Sequence, residues 1–286
     1  MSSAPKYVLG TDDAEVARLD AQAANIAPAT DLLLRAGGIG GSMRVLDLGC
    51  GLGHVSFQTA ALLDGDGSVV GVDEAAPLLE VAERRRAADG RSNVRFVRGD
   101  ARTYRDDEPF DAIVTRLLLF HLPDAVDVLR HQLGGLSPGG LVLAIDFDLG
   151  TARSEPSIPL AATALAWVEA AFRSAGANPR IGAQLGQLLR SAGVADVTTL
   201  GVQPYLAPDD PRAPRLLGGV VRSLAPQMVS AGIATEAELG LDTIEGRIAD
   251  ELTAAEAVLL PPAVVGAWGR RASSARACGN SQEVAG

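Results

Sequence analysis

Cysteine, lysine and aromatic residues are scarce in this 286-residue chain, in which Lys6 is the single lysine. The two cysteines, Cys50 and Cys278, lie far apart and have neither metal-ligand spacing nor the pairs that a disulfide framework needs. A chain of this length buries roughly three quarters of its unfolded surface, so a hydrophobic core can stabilise it without crosslinks. We therefore expect a reducing, cytoplasmic environment.

Long apolar runs and an excess of positive charge are also missing. No segment approaches the roughly 20 apolar residues that span a bilayer, and the first residues lack the pattern of a signal peptide. The net charge is −10, with an isoelectric point near 4.8, which disfavours an encounter with nucleic-acid phosphates. The composition predicts a soluble protein with a small-molecule substrate and without nucleic-acid or membrane partners. The sequence leaves open whether the protein forms a homodimer.

What the chain does contain is an apolar run that leads into three alternate glycines, Gly49, Gly51 and Gly53. Glycine tolerates positive φ and lets a ligand lie against bare backbone, and the helix that follows presents unpaired N–H groups. A dinucleotide-binding turn would have its third glycine at position 54, which is His54 here. The spacing therefore indicates a nucleotide-like ligand other than NAD or FAD.

Short apolar runs and helical patterns alternate between residues 43 and 147, which is typical of β-α units around a parallel sheet. Right-handed crossovers place the carboxyl ends of such strands on one rim, where ligands bind. Two helices are predicted before the first strand, and the second begins at Pro28. Strands are predicted near residues 43–48, 68–73, 94–98, 110–115, 141–147, 195–203 and 263–268.

Four motifs follow one another in this region: VLDLGCGLGHVS, VVGVDEAAPLLEVAERR, VRFVRGDA and FDAIVTRLLLFHLPD. Together they resemble the class I S-adenosylmethionine-dependent methyltransferases, and most of all the ubiquinone and menaquinone biosynthesis branch. The resemblance implies an α/β, Rossmann-like sheet of seven strands, mostly parallel with the last strand antiparallel, plus N-terminal helices and a helical cap. It also implies S-adenosylmethionine as the cofactor and S-adenosylhomocysteine as its product.

The expected organisation combines a nucleotide-binding core with helical additions. We expect an N-terminal helical lid at 1–40 and a flexible tail at 270–286. The core is expected at 41–207 and 255–269, with an inserted helix near 156–175, and a helical cap insertion at 208–254. Both insertions should lie over the rim and close a pocket.

Acidic residues at strand ends are the candidates for the cofactor site. Asp73 ends the second strand about twenty residues beyond the glycines, where a carboxylate accepts hydrogen bonds from both ribose hydroxyls, and Glu74 stands beside it. The alternative role for Asp73 is to cap the next helix. In the resembling family the position of Asp100 holds the adenine amino group, and the backbone N–H of Ala101 meets the ring.

Asp47 and Arg116 each have two interpretations. Asp47 is the family's acid beneath the methionine end of the cofactor, or it orders the glycine turn. Arg116 stands where family members more often have a small polar residue; it could bind the cofactor carboxylate bidentately, or pair with Asp47 or Asp111. By resemblance, Tyr7 and Gln22 fold over the cofactor as a lid, although Tyr7 could equally anchor the first helix.

His121 is the candidate catalytic residue. Its segment borders the methyl group in the resembling family, and a histidine with a pKa near 6.5 accepts a proton at neutral pH. The alternative is a structural histidine at the start of a helix. Asp146 and Asp148 share one face of an extended segment, but two acids without nearby histidines are too few for a metal site, so none is expected.

We expect the transfer of a methyl group from S-adenosylmethionine to a small, hydrophobic metabolite of the specialised, natural-product type. The reaction would be an in-line displacement in a water-poor pocket. Whether oxygen, nitrogen or carbon receives the methyl group stays open. Two other functions stay open as well: a protein that holds S-adenosylmethionine for non-methylating chemistry, and a nicotinamide-dependent oxidoreductase.

Overall fold

A central sheet dominates the structure, a computed structural model that describes residues 13–272. The predictions for Tyr7, Cys278 and most of the tail lie outside the described residues. In chain order the strands are β1 (Arg44–Leu48), β2 (Ser68–Asp73), β3 (Val94–Arg98), β4 (Phe110–Arg116), β5 (Leu136–Asp148), β6 (Arg153–Glu155), β7 (Val194–Val202), β8 (Val258–Leu260) and β9 (Ala263–Arg271). Seven of them form the sheet, in the order β3-β2-β1-β4-β5-β9-β7.

Helices cover both faces of this sheet and build a cap beside it. They are α1 (Asp13–Ala36), α2 (His54–Ala60), α3 (Ala76–Ala88), α4 (Ala125–Leu133), α5 (Pro159–Ser174), α6 (Leu185–Ala192), α7 (Arg212–Ser230), α8 (Glu236–Leu239) and α9 (Ile244–Ala254). Between β4 and α4 the chain makes a short 3₁₀ turn, Leu119–His121.

The directions of the strands confirm the predicted fold class. The strands from β1 to β5 are parallel to one another, whereas β9 is antiparallel to both of its neighbours, β5 and β7. The chain reverses its direction of travel across the sheet between β1 and β4, and this switch point opens a crevice beyond the strands' carboxyl ends.

Three groups of buried apolar side chains hold the fold together. One lies between the sheet and α4 and α6, and another lies on the opposite face beneath α1 and α2. The third belongs to the cap, where Val168 of α5, Val221 of α7 and Ile248 of α9 are buried together. Because the cap has its own core, it forms a stable wall over the carboxyl rim of the sheet.

The N-terminal region is one helix, and the predicted boundary between two helices at Pro28 is wrong. Proline inside a helix removes one backbone donor, here the one that would pair with the Ala24 carbonyl, and separately the Ala27 carbonyl accepts a hydrogen bond from Gln58 Nε2 at 3.0 Å, which ties α1 to α2. Leu33 and Leu34 are fully buried against the sheet. Burial of this second half keeps the helix continuous, and it makes the end of the predicted lid a part of the core.

Two further strand boundaries differ from the sequence predictions, and one small sheet was not predicted. β5 begins at Leu136 rather than near 141, because Leu136 pairs with Phe110 before a shift in register. β9 continues to Arg271, so the first residues of the predicted tail belong to the sheet. β6 and β8 pair antiparallel beside the cap, a small sheet that the sequence pattern did not indicate. Within the described residues, no helix is long and apolar enough to cross a membrane.

Candidate active site

A cavity of about 850 Å³ opens at the carboxyl ends of β1 to β5, a volume in the range of small-molecule sites. Its wall on the sheet side comes from the glycine turn after β1 and from the ends of β2, β3 and β4. Its opposite wall comes from α1, α5 and α7. One cavity therefore joins the switch point of the sheet to the cap.

The three glycines of the turn have different surroundings. Gly49 and Gly51 line the cavity, and both have positive φ, of 76° and 49°. Apart from its chain neighbours, no atom of the described residues lies within 4 Å of a Cβ placed at Gly51, so the backbone there faces the cavity. Gly53 is not among the cavity-lining residues; its backbone packs against Phe96, 2.7 Å from the position of a Cβ. The third glycine thus serves packing, and the first two face the cavity.

Asp73 lies on the cavity wall at the end of β2. Its Oδ2 accepts a hydrogen bond from the Gly51 N–H at 2.8 Å, and its Oδ1 accepts one from the Ala75 N–H at 2.9 Å. Each carboxylate oxygen can accept a further hydrogen bond. The carboxylate therefore orders the glycine turn and the residue before α3 and borders the cavity, while its contact with a ribose stays a prediction. Glu74, beside it, is exposed at the same wall.

Asp100 and Ala101 line the cavity directly after β3. Asp100 Oδ1 accepts a hydrogen bond from the Arg102 N–H at 2.8 Å. Arg102 also reaches Asp124 through Nε at 2.9 Å, which fixes the loop against the start of α4. The second oxygen of Asp100 is left for a ligand, on the same wall as Asp73.

Asp47 is buried beneath the turn and is not among the cavity-lining residues. Its Oδ2 accepts a hydrogen bond from Ser56 Oγ at 2.5 Å, whereas its Oδ1 has no hydrogen-bond partner among the described residues. Burial raises its pKa to about 6 against the opposing effects of Ser56 and Arg116. In this structure Asp47 ties β1 to α2 through Ser56, and both of its interpretations stay predictions.

Arg116 places a half-buried cation on the cavity wall at the end of β4. Its Nη1 donates to Thr30 Oγ1 of α1 at 3.0 Å, and the described residues include no carboxylate within 4 Å of its guanidinium. Burial lowers its pKa to about 10. The predicted pairing with Asp111 is wrong, because Asp111 accepts from the Arg44 backbone at the other end of the sheet. The positive charge of Arg116 is available to an anionic ligand group.

Leu117, the next residue along the chain, has a strained backbone conformation that was not predicted from the sequence. It has a φ of 55°, a left-handed conformation that non-glycine residues rarely adopt, and it lines the cavity. Its N–H donates to the Ile145 carbonyl of β5 at 2.9 Å, which holds this conformation in place. Strain of this kind concentrates at functional sites.

His121 lies on the cavity wall in the 3₁₀ turn after β4. Its ring stacks on Phe120, with 3.7 Å between ring centroids. Burial, assisted by the charge of Arg18, lowers its pKa to about 4. The imidazole is therefore neutral at pH 7 and able to accept a proton there, although it is a weaker base than an ordinary histidine.

Asp146 is a buried acid that also reaches the cavity. Its two oxygens accept hydrogen bonds from the N–H groups of Phe120, at 3.3 Å, and Phe147, at 3.1 Å. Burial nevertheless raises its pKa to about 8, so that the acid is largely protonated at neutral pH. Asp146 thus connects β5 to the turn that carries His121. Among the described residues no cluster of three or more potential metal ligands exists.

The inner face of α1 lines the cavity with Gln22 and Arg18, while the lid role of Gln22 stays a prediction. An ion-pair cluster holds this part of the helix to the core. Asp20 accepts from His54 Nε2 and from Arg85 Nη2, both at 2.8 Å. Because His54 directly follows the glycine turn, the cluster fixes α1 over the turn.

The cap side of the cavity is mostly apolar, and its residues were not identified from the sequence. Leu165 and Phe172 of α5 face it, together with Leu216 and Val220 of α7. The α7 positions recur at helical spacing, which is the signal that could have predicted an inward face.

Comparison with known proteins agrees with this architecture. The family model described as a methyltransferase domain matches residues 39–190, more than half of the chain. The chain belongs to this methyltransferase family. The match covers the glycine turn, the ends of β2 to β5 and most of α6, and it confirms the resemblance to class I S-adenosylmethionine-dependent methyltransferases.

Individual relatives and solved structures show how far this similarity extends along the chain. A demethylmenaquinone methyltransferase of Lactococcus lactis is 29% identical over 119 residues, which are 41% of this chain and 45% of that protein, so the chain spans about half the length of the curated relatives it matches. The YcgJ protein of Bacillus subtilis has a TM-score of 0.53 at 18% identity, covering 86% of this chain and 99% of its own. Phosphoethanolamine N-methyltransferase 2 of Haemonchus contortus, solved with S-adenosyl-L-methionine, has a TM-score of 0.54 at 18% identity, over 86% of this chain and 53% of its own. These likenesses confirm the fold.

Proposed function

We propose that this protein transfers a methyl group from S-adenosylmethionine to a small, mostly apolar acceptor of the natural-product type. The main support for this proposal is the cavity at the carboxyl ends of β1 to β5. Its sheet side presents glycine backbone, Asp73, Asp100 and Arg116, and its cap side presents apolar side chains. Donor and acceptor would thus meet in one enclosed space.

The polar wall suits the donor in three places. Both oxygens of Asp73 are anchored by backbone N–H groups and can accept hydrogen bonds from vicinal ribose hydroxyls. Asp100, one loop further, is placed to accept from an adenine amino group. The guanidinium of Arg116, which has no carboxylate within 4 Å among the described residues, suits the carboxylate of the methionine portion, because arginine binds carboxylates through two parallel N–H donors. When bound, the sulfonium supplies the methyl group for displacement.

The chain's own contribution to catalysis is mainly positioning and exclusion of water. We assign the first half of α1 to a lid over the donor, with Gln22 on its inner face. We assign α5 and α7 to the wall that holds the acceptor. Neutral His121 accepts the proton of an acceptor hydroxyl, and Asp146 holds the turn that carries this histidine.

The test is to incubate the purified protein with tritiated S-adenosylmethionine and a panel of apolar phenols, amines and carbon acids. The expected result is S-adenosylhomocysteine by mass spectrometry together with a labelled organic product for at least one acceptor class. Calorimetry with S-adenosylhomocysteine measures donor binding separately. Binding without turnover on any acceptor would contradict methyl transfer and favour a protein that holds S-adenosylmethionine for other chemistry.

A further inference from the structure

One face of α7 forms a long strip of the cavity wall. Its residues recur every three or four positions, and the opposite face, which includes Ala213, Val221 and Met228, is buried in the cap. The lining residues of the strip are Arg212, Arg215, Leu216, Gly219, Val220 and Ser223. The strip therefore begins with two arginines and continues as an apolar surface. From Arg215 to Ser223 it spans about 12 Å at the usual helical rise.

The two arginines differ in their partners. Arg212 donates to both oxygens of Asp210, and this ion pair lowers the pKa of Asp210 to about 2. Arg215 is exposed, and the described part of the chain includes no carboxylate within 4 Å of its guanidinium. Arg215 therefore adds an uncompensated positive charge to the cavity wall of a protein whose net charge is −10.

Two titratable groups of the cavity wall, His121 and Asp146, supply no negative charge that could offset it. His121, with a pKa of about 4, and Asp146, with a pKa of about 8, are both largely neutral at pH 7. Nor does Arg215 serve the helix: it lies at the amino-terminal end of α7, which has no acidic residue in its first turn, and a cation is unfavourable at that end of the helix dipole. An acidic group of a bound molecule would therefore meet no competing carboxylate of the described residues at Arg215.

We propose that the methyl acceptor is an apolar molecule that carries an acidic group, and that Arg215 binds this group. The inference rests on the proposed methyltransferase function and deepens it. The apolar body would lie along Leu216 and Val220 and opposite Phe172 of α5. The planar guanidinium at the start of the strip matches a carboxylate or sulfonate. Arg215 thus selects acidic acceptors over neutral molecules of the same shape.

Two fluorescent probes that differ by one acidic group test this assignment. 8-Anilinonaphthalene-1-sulfonate is an apolar anion, and N-phenyl-1-naphthylamine is the same skeleton without the sulfonate. Both are titrated into wild type, Arg215→Gln and the control Arg222→Gln in the presence of S-adenosylhomocysteine. Arg222 lies on the same helix, but it pairs with Glu245 and does not line the cavity. Ser223→Phe, which fills the apolar strip, checks that both probes occupy this site.

In Arg215→Gln the sulfonate probe should bind about three- to fivefold more weakly, the range for a solvent-exposed ion pair, and the neutral probe should bind as in wild type. Arg222→Gln should change neither, and Ser223→Phe should weaken both. Equal loss of both probes in Arg215→Gln, no loss of the sulfonate probe, or failure of the probes to bind wild type would overturn the assignment. Calorimetry with S-adenosylhomocysteine reports the donor site separately, so failure of the methyltransferase proposal is distinguishable.

Discussion

A methyl group added at Gly51 would point into the cavity and not into the protein. The backbone at this position has a φ of 49°, and apart from its chain neighbours no atom of the described residues lies within 4 Å of an added Cβ. The same residue donates its N–H to Asp73 at 2.8 Å, next to the proposed ribose site. Gly51→Ala is therefore a direct test of whether a ligand lies against this backbone.

Two costs are expected, and they can be separated. The left-handed conformation makes alanine less stable than glycine by about 1 kcal/mol, which lowers the melting temperature by about 2–4 °C in a chain of this size. The added methyl group also occupies space that the donor needs, and overpacking costs about 1–3 kcal/mol or more. The dissociation constant for S-adenosylhomocysteine should therefore rise at least about fivefold.

Gly90→Ala is the matched control. Gly90 has a φ of 63° and open space around an added Cβ, but it lies after α3 and outside the cavity. Both variants should lose similar stability by thermal unfolding, and only Gly51→Ala should lose affinity by calorimetry. If Gly51→Ala binds S-adenosylhomocysteine as tightly as Gly90→Ala does, the glycine turn is not the ligand surface and the reasoning is refuted.

Three further predictions concern single side chains. Asp73→Asn should weaken S-adenosylhomocysteine binding at least about tenfold, because charge-assisted hydrogen bonds contribute about 1.5–3 kcal/mol each; unchanged affinity in calorimetry would remove the carboxylate from the site. His121→Ala should slow single-turnover methyl transfer by about 10²- to 10⁴-fold at constant donor affinity. Because the pKa of His121 is about 4, the activity of the wild type should decline only below about that pH. A loss of single-turnover rate under fivefold in His121→Ala would make the histidine structural. Asp146 has a pKa raised from 3.8 to about 8, so its contribution to stability is full below pH 3.8 and is lost as the pH rises through 8. The melting temperature should therefore fall less from pH 6 to 9 in Asp146→Asn than in wild type. Parallel plots of melting temperature against pH for the two proteins would contradict this prediction.

Most of the sheet could be predicted from the sequence, since buried parallel strands are continuous apolar runs and glycines mark their ends. The predicted bounds of β2 and β3 agree with the structure. The break at Pro28 was wrong because local propensity was outweighed by burial of Leu33 and Leu34. The β6-β8 pair was missed because strands of three residues have no periodicity to detect.

Several predicted residues line the cavity because they lie at or just after the end of a strand. Asp73, Asp100 and Arg116 all lie on the cavity wall for that reason. The positive φ of Leu117 depends on a hydrogen bond to a neighbouring strand, which no local pattern reveals. Arg215 faces the cavity only through packing of the cap, so its position depends on tertiary contacts that the sequence does not state.

The most direct test of the central claim is a crystal structure of the protein with S-adenosylhomocysteine. We expect both ribose hydroxyls within hydrogen-bond distance of Asp73, the ligand carboxylate on Arg116, and the sulfur facing the apolar wall of α5 and α7. Ligand bound elsewhere, or bound in the cavity with its ribose away from Asp73, would contradict the account.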